Sequence, residues 1–155
     1  MAGQPQPIDE DVAAMAFVQS SSLCHGLPEA CLEALFSAGL ISEYGPSEVV
    51  FEESAVQDDL FLLLDGSVSI CKHYGEKLIE IIVLERPSVF GETAALTQQP
   101  RAASAITRTD TRLVCFPGKV VREVADSAPK FGRRLAALMA SRGEEMVLRL
   151  AEADS

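Results

Sequence analysis

Between residues 40 and 116, short β-rich runs alternate with turn signals, and this pattern limits the possible folds more than any other feature of the sequence. The runs cover residues 49–51, 60–64, 68–71, 78–84, 103–107 and 113–116. The turn signals between them include Asp65-Gly66, and Asp-Gly between two apolar runs is a strong hairpin signal. Several short strands at this spacing predict a β-sandwich, barrel or jelly roll.

Helical patterns flank this β-rich region on both sides. On the N-terminal side, apolar residues follow Asp9 to Asp11 at helical spacing, and a second helix is expected over residues 28–38. On the C-terminal side, a short helix follows Gly118 and a longer one begins at Pro129. The predicted order is therefore helices, then strands, then helices.

The chain of 155 residues is close to the usual size of a single domain. We expect an N-terminal tail with helices in residues 1–39, a β unit in residues 40–116 and C-terminal helices in residues 117–155. Residues 1–8 contain two prolines and two glutamines and are expected to be loose.

Charge and hydrophobicity argue against several functional classes. The net charge is −10, which does not suit sequence-independent binding to DNA or to anionic membranes. All 13 basic residues lie in residues 72–155, so we expect this half to hold any bound anion. The longest apolar runs are shorter than the roughly 18 residues of a membrane span, and the acidic N-terminus does not resemble a secretory signal.

The cysteines and histidines do not form a recognisable metal-binding pattern. Two histidines, His25 and His73, lie far apart, and we expect no metal cofactor. The cysteines match no zinc spacing and are expected to be reduced, mostly buried thiols of a cytoplasmic protein. They are Cys24, Cys31, Cys71 and Cys115.

Residues 90–104 carry the most chemical information. Gly91 lets the backbone approach a ligand closely, and the amides at the start of the short helix that follows favour an anion. Arg101 with such amides suits a phosphate, and the small Ala102 beside it leaves space. The carboxylate of Glu92 would repel that phosphate unless it accepts a hydrogen bond from a nearby hydroxyl. A ligand with a phosphate and an adjacent ribose hydroxyl meets both requirements.

The spacing Phe-Gly-Glu-x-Ala-(x)6-Arg-Ala-Ala, which begins at Phe90, resembles the phosphate-binding cassette of cyclic-nucleotide-binding domains. This family includes regulatory subunits of protein kinase A, cyclic-nucleotide-gated channels and the bacterial catabolite activator protein. The resemblance extends over roughly residues 27–150. It implies an α+β fold that is mainly β, an eight-stranded β-roll with N-terminal helices and a C-terminal helical lid.

The resemblance also implies roles for individual residues. Arg101 would bind the exocyclic phosphate oxygens, and Glu92 would accept a hydrogen bond from the ribose 2′-hydroxyl. The expected ligand-binding residues are Phe90, Gly91, Glu92, Thr93, Ala94, Arg101, Ala102 and Ala103. The final helix has no Trp or Tyr, and its candidates for covering the base are Phe131, Leu135 and Met139, followed by Met146 and Leu150.

Four positions bear on the choice of ligand and on the turns of the predicted fold. Members that prefer cyclic GMP often carry Thr or Ser directly after the arginine, whereas this chain has Ala102. We therefore expect cyclic AMP as the ligand, with cyclic GMP as the second choice, although Ser104 offers a hydroxyl two positions later. The family often has glycine where this chain has Ser47 and Ser54, which bears on the geometry of two turns.

These features together predict a cyclic-nucleotide-binding regulatory or sensor module, not an enzyme, whose C-terminal helices change position when ligand binds. Its expected partners are the nucleotide, an unidentified effector protein or domain, and a second copy bound through the C-terminal helix. The alternative is a non-binding β-roll that serves protein interaction or oligomerisation. A metal-using barrel enzyme is disfavoured because histidines are not clustered and no nucleophile–base arrangement is evident. A DNA-binding regulator would need a helix-turn-helix after the last helix, and no nucleic-acid or membrane partner is expected.

Overall fold

The β-rich region forms two antiparallel sheets in the computed structural model, which describes residues 4–154. The nine strands of this part are β1 (Gln6–Pro7), β2 (Leu40–Tyr44), β3 (Val49–Phe51), β4 (Leu60–Asp65), β5 (Ser67–Tyr74), β6 (Lys77–Glu85), β7 (Val89–Phe90), β8 (Ser104–Thr107) and β9 (Thr111–Phe116). One sheet has the order β1-β2-β9-β4-β7 and the other β3-β8-β5-β6. Residues 40–116 thus supply eight strands, which confirms the expected β-roll with flanking helices.

The turn at Asp65-Gly66 is not the hairpin that the sequence predicts. β4 pairs with β7 and β9, whereas β5 pairs with β6 and β8, so the chain passes from one sheet to the other at Gly66. Gly66 has φ +91, and a Cβ there would lie 2.3 Å from the Asp110 carbonyl oxygen. The hairpin lies instead at Gly75, between β5 and β6.

The described chain contains five α-helices. Two precede the β-rich region and two follow it, which confirms the predicted order of helices, strands and helices. The five helices are α1 (Val12–Ser20), α2 (Glu29–Ala38), α3 (Glu92–Thr97), α4 (Gly118–Ser127) and α5 (Pro129–Ala153). Asp11 caps α1 by accepting a hydrogen bond from the Ala14 N–H at 3.0 Å. Pro129 occupies the first turn of α5, where its missing N–H is not needed. Neither α5 nor any other helix within residues 4–154 is long and apolar enough to cross a membrane.

The N-terminal tail is more ordered than its composition predicts. Gln6 and Pro7 pair with β2, and Ile8, the first residue of a short 3-10 helix (Ile8–Glu10), is fully buried. Residues 1–3 of the same expectation lie outside the described residues. Burial of the Ile8 side chain contributes about 1.5–3 kcal/mol, which offsets part of the entropy lost in ordering this segment.

Two hydrophobic clusters fill the interior. The larger lies where the helices pack on the five-stranded sheet and contains Phe131 and Leu135, both with no exposed surface. The smaller lies between the sheets and is built around Phe51, Phe61 and Phe90, whose ring centroids are 5.3–6.0 Å apart. This aromatic group fixes the end of β7, from which residues 91–103 cross to β8 in the other sheet.

Ser47 and Ser54 adopt backbone conformations that favour glycine. Their φ angles are +60 and +72, in the left-handed region that glycine adopts more easily than serine. The Ser54 N–H donates to the Arg101 carbonyl at 2.7 Å, and the Arg101 N–H donates to the Ala55 carbonyl at 2.9 Å. The turn at Ser54 therefore bonds both the N–H and the carbonyl of Arg101.

Candidate functional site

A cavity of about 300 Å³ lies between the four-stranded sheet, the segment from Phe90 to Ala103, and α5. The sheet contributes an apolar wall that includes Phe51, Ile70 and Ile82. All eight residues expected to bind ligand line this cavity. They are Phe90, Gly91, Glu92, Thr93, Ala94, Arg101, Ala102 and Ala103.

The structure divides the residues expected to cover a base into two groups. Met139 and Met146 line the cavity from α5. Phe131 and Leu135 do not, because they belong to the first turns of α5 and are fully buried in the core between the helices and the five-stranded sheet. Leu150, further along the helix, is not among the lining residues either.

Arg101 is a buried cation that meets only neutral acceptors. Its side chain belongs to a residue that is 3% exposed. Nη1 donates to the Gly91 carbonyl at 3.2 Å, and Nη2 donates to the Asp59 carbonyl at 2.7 Å and to Gln57 Oε1. The guanidinium carbon lies 4.0 Å from the Phe51 ring centroid, a distance that suits a cation–π contact.

The Arg101 guanidinium lacks both a counterion and one hydrogen-bond partner. Within residues 4–154 it forms no ion pair, and its Nε is buried with no acceptor. Burial lowers the pKa of Arg101, opposed by the negative charges of Asp59 and Asp58. The guanidinium nevertheless stays protonated, since arginine side chains are not deprotonated in proteins. An unpaired buried charge of this kind is unfavourable unless an anion joins it.

Gly91 lets the guanidinium lie against the backbone. Its φ is +84, and a Cβ at this position would lie 2.8 Å from Arg101 Nη1 and 2.9 Å from the Asp59 carbonyl oxygen. Any other residue would therefore be strained and would press on the Arg101 guanidinium and on the Asp59 carbonyl that accepts from it. This explains why glycine stands between β7 and α3.

Glu92 begins α3 and presents a buried carboxylate to the same cavity. Its Oε1 lies 3.5 Å from Arg142 Nη1 on α5, and Oε2 is 3.5 Å from the Thr93 hydroxyl. Burial raises the pKa of Glu92, while Arg142 and the backbone N–H groups of Glu92 and Thr93 act in the opposite direction. The contact with Arg142 links α5 to the segment that carries Arg101.

Arg142 and Glu145 are charged lining residues that the sequence reasoning did not identify, and the apolar sheet residues were missed as well. A signal for Arg142 was present, since Met139, Arg142 and Met146 lie at i, i+3 and i+7 and share one helix face. Ser104, considered as a second hydroxyl near the ligand, does not line the cavity. Its Oγ accepts a hydrogen bond from the Glu53 N–H at 2.8 Å.

The cavity therefore combines an unneutralised cation, a carboxylate acceptor and an apolar wall. An anion can join Arg101, a hydroxyl can donate to Glu92, and a flat apolar ring can pack on the sheet residues. Within the described residues, no three His, Cys, Asp or Glu side chains are grouped so as to hold a metal ion.

Comparison with known proteins gives a consistent result. The model of the cyclic nucleotide-binding domain matches residues 41–128. A cGMP-dependent protein kinase from Plasmodium berghei is 30% identical over 109 residues, which are 70% of this chain and 12% of the kinase. A cAMP-dependent protein kinase regulatory subunit from Dictyostelium discoideum is 31% identical over 98 residues, 61% of this chain and 27% of the subunit. The chain thus spans a minor part of these two relatives.

A solved structure shows the same arrangement of elements. The crystal structure of the catabolite activator protein from Thermus thermophilus superposes with a TM-score of 0.71 and 27% sequence identity. The match covers 86% of this chain and 63% of that one.

Proposed function

Because the chain belongs to the cyclic nucleotide-binding domain family, we propose that it is a regulatory module that binds cyclic AMP in preference to cyclic GMP. The observation that carries this proposal is that Arg101, a buried cation on the wall of the cavity, donates only to neutral acceptors and has an Nε without a partner. A cyclic phosphodiester carries one negative charge, which matches the one cavity cation that has no carboxylate partner among the described residues.

In the proposed complex, Arg101 donates to the exocyclic phosphate oxygens and Glu92 accepts from the ribose 2′-hydroxyl. The remaining cassette residues surround the phosphate and sugar, with the backbone amides near Gly91, Ala94 and Ala102 as further donors. The base lies against the apolar wall of the sheet, and Met139 on α5 covers it. Hydrogen bonds between charged and neutral groups are among the stronger ones, so phosphate and ribose would dominate the affinity.

The preference for cyclic AMP rests on the lack of a free hydroxyl beside the arginine. Ala102 has none, and the Ser104 hydroxyl is engaged by the Glu53 N–H. One observation favours cyclic GMP instead: Glu145 lines the cavity, and a carboxylate can accept hydrogen bonds from the donors on the edge of guanine. The two named kinase relatives differ in the same respect, one being cGMP-dependent and the other cAMP-dependent.

We further propose that ligand changes the position of α5. The ribose hydroxyl and Arg142 would share the Glu92 carboxylate, so a bound nucleotide acts directly on a side chain of the helix. A ligand shifts such an equilibrium only by its difference in affinity for the two positions. Hydrogen exchange should therefore differ between free and bound protein along α5. Unchanged exchange there at saturating ligand would contradict the proposed movement.

The output of this module is proposed to be a contact with an effector or with a second copy. Val147 and Leu148 on α5 are 68% and 59% exposed, which favours an interaction surface on that helix and also supports the non-binding alternative. We propose no catalytic activity, metal cofactor, nucleic-acid partner or membrane partner of its own. The unpaired cysteines, three of them buried, suit the reducing cytoplasm.

Calorimetric titration of the chain with cyclic AMP, cyclic GMP and 5′-AMP tests the proposal. We expect one site per chain, with cyclic AMP bound more tightly than cyclic GMP. The binding of 5′-AMP should be weakest, because its phosphate carries a second charge that Arg101 alone cannot neutralise. No heat with either cyclic nucleotide at millimolar concentration would refute nucleotide binding and leave the interaction module as the better account.

A further inference from the structure

Gln57 provides the only side-chain oxygen among the described residues that is bonded to the Arg101 guanidinium. The other two acceptors, the carbonyls of Gly91 and Asp59, belong to the backbone. Gln57 lies in the connection before β4 and is itself exposed to solvent. An exposed, neutral side chain thus accepts a hydrogen bond from the buried cation that is proposed to bind phosphate.

We infer that Gln57 competes with the ligand for Arg101 and thereby sets the affinity of the cavity, an inference that rests on the proposed function. A phosphate binds arginine most strongly through two parallel N–H groups. Nε is already without a partner, but the N–H parallel to it belongs to Nη2, and both N–H groups of Nη2 have acceptors. Nη2 donates to both Gln57 and Asp59, and it can give up one of these acceptors and keep the other.

The backbone acceptors are held in place more firmly than Gln57. The Asp59 carbonyl precedes β4, and the neighbouring Asp58 carboxylate is bonded to Arg122 Nη1 of α4 at 2.9 Å. The same Nη1 donates to the Ala95 carbonyl at 3.0 Å, which ties this connection to α3. Displacing Asp59 would therefore disturb α3 and α4 together, whereas the Gln57 amide can rotate into water without breaking any other side-chain hydrogen bond of the described residues.

The position of Arg101 itself would not depend on Gln57. Hydrogen bonds to Ser54 and Ala55 clamp its backbone, and its guanidinium lies on the Phe51 ring. Loss of the Gln57 contact should therefore free an N–H group for phosphate without moving the cation. Replacing the amide with a carboxylate should have the opposite effect, because an anion would then occupy the same place with a charge-assisted bond.

The test uses two substitutions at one position, Gln57→Ala and Gln57→Glu, with Val56→Ala as the control. Val56 is 87% exposed and adjoins Gln57 in sequence. By calorimetry, Gln57→Ala should bind cyclic AMP about fivefold more tightly than the unchanged chain. This change is smaller than the full effect of a hydrogen bond to a charged group, because the released N–H is only one of those that would contact the phosphate. Gln57→Glu should bind at least about tenfold more weakly, equivalent to about 1.4 kcal/mol. The control should bind as the unchanged chain does, and melting curves without ligand should show that all variants fold.

The outcomes separate this inference from the proposed function. Tighter binding by Gln57→Ala and weaker binding by Gln57→Glu support the inference, as does binding seen only in Gln57→Ala. If the unchanged chain binds but Gln57→Ala binds equally or more weakly, the inference is overturned and the proposed function stands. If Gln57→Glu binds as tightly as the unchanged chain, the inference is likewise overturned. If neither the unchanged chain nor Gln57→Ala binds a cyclic nucleotide, both proposals fail.

Discussion

Replacing Arg101 with alanine should remove most of the thermal stabilisation that cyclic AMP gives this protein. Arg101 is 3% exposed, and the other basic residue that lines the cavity, Arg142, is paired with Glu92. Within the described chain there is therefore no second unpaired cation in the cavity to take over the phosphate. Truncating one partner of a buried, hydrogen-bonded charge pair costs about 2–5 kcal/mol of binding free energy.

This loss can be expressed as a melting temperature. Ligand at about 100 times its dissociation constant stabilises a protein by about 2.7 kcal/mol. For a chain of this length, each kcal/mol raises the midpoint by about 2–4 °C, which predicts an increase of about 5–11 °C. A loss of at least 2 kcal/mol weakens binding roughly 30-fold or more. At the same ligand concentration the remaining stabilisation is then about 0.9 kcal/mol or less, an increase of at most about 3.5 °C.

The assay is a melting curve of each protein with and without cyclic AMP, compared with the change in the Arg112→Ala variant. Arg112 also forms an ion pair between separate elements, with Asp11 at 2.8 Å, but does not line the cavity. The control should keep the full ligand-dependent increase even if its own midpoint falls. An Arg101→Ala protein that folds and keeps the full increase would refute the role given to Arg101.

Two further substitutions test the electrostatics of the cavity and the backbone of the turns. Because burial raises the folded-state pKa of Glu92, its ionisation destabilises the ligand-free fold, and the unfolding free energy falls as pH rises through that pKa. The Glu92→Gln variant cannot ionise at this position and so lacks this fall. In denaturant titrations, the unfolding free energy of Glu92→Gln minus that of the unchanged chain should therefore increase with pH from the ordinary glutamate range upward. A difference that does not depend on pH would contradict the raised pKa. Ser54→Gly should stabilise the fold by about 0.5 kcal/mol, because φ +72 strains serine by more than glycine loses in entropy. The matched control, Ala34→Gly within α2, should instead destabilise the fold by about 1 kcal/mol. Equal effects of the two substitutions on the unfolding free energy would contradict backbone strain at Ser54.

Features that depend on nearby residues could be predicted from the sequence. The cassette residues from Phe90 to Ala94 follow one another directly, and a single crossing between sheets brings Arg101 to Ala103 back beside them. Local spacing, together with the family resemblance that it carries, therefore identified all eight residues of this segment that line the cavity. The strands with clear apolar runs were found for the same reason, whereas β7, with two residues, is too short to show a pattern.

Features that depend on distant contacts could not be predicted in this way. A turn signal at Gly66 does not say that β4 pairs with β9, nearly fifty residues later, and so the hairpin was wrong. An apolar stripe on α5 does not say which residues face the core, and Phe131 was placed at the cavity for that reason. The contact between Gln57 and Arg101 spans 44 positions and involves an exposed amide that carries no local signal.

The most direct test of the account is a crystal structure of the chain with cyclic AMP. We predict nucleotide density in the cavity, with a phosphate oxygen within hydrogen-bond distance of Arg101 Nε and the ribose 2′-hydroxyl on the Glu92 carboxylate. Density for the nucleotide at another place on the protein, with Arg101 Nε still unpartnered, would contradict it.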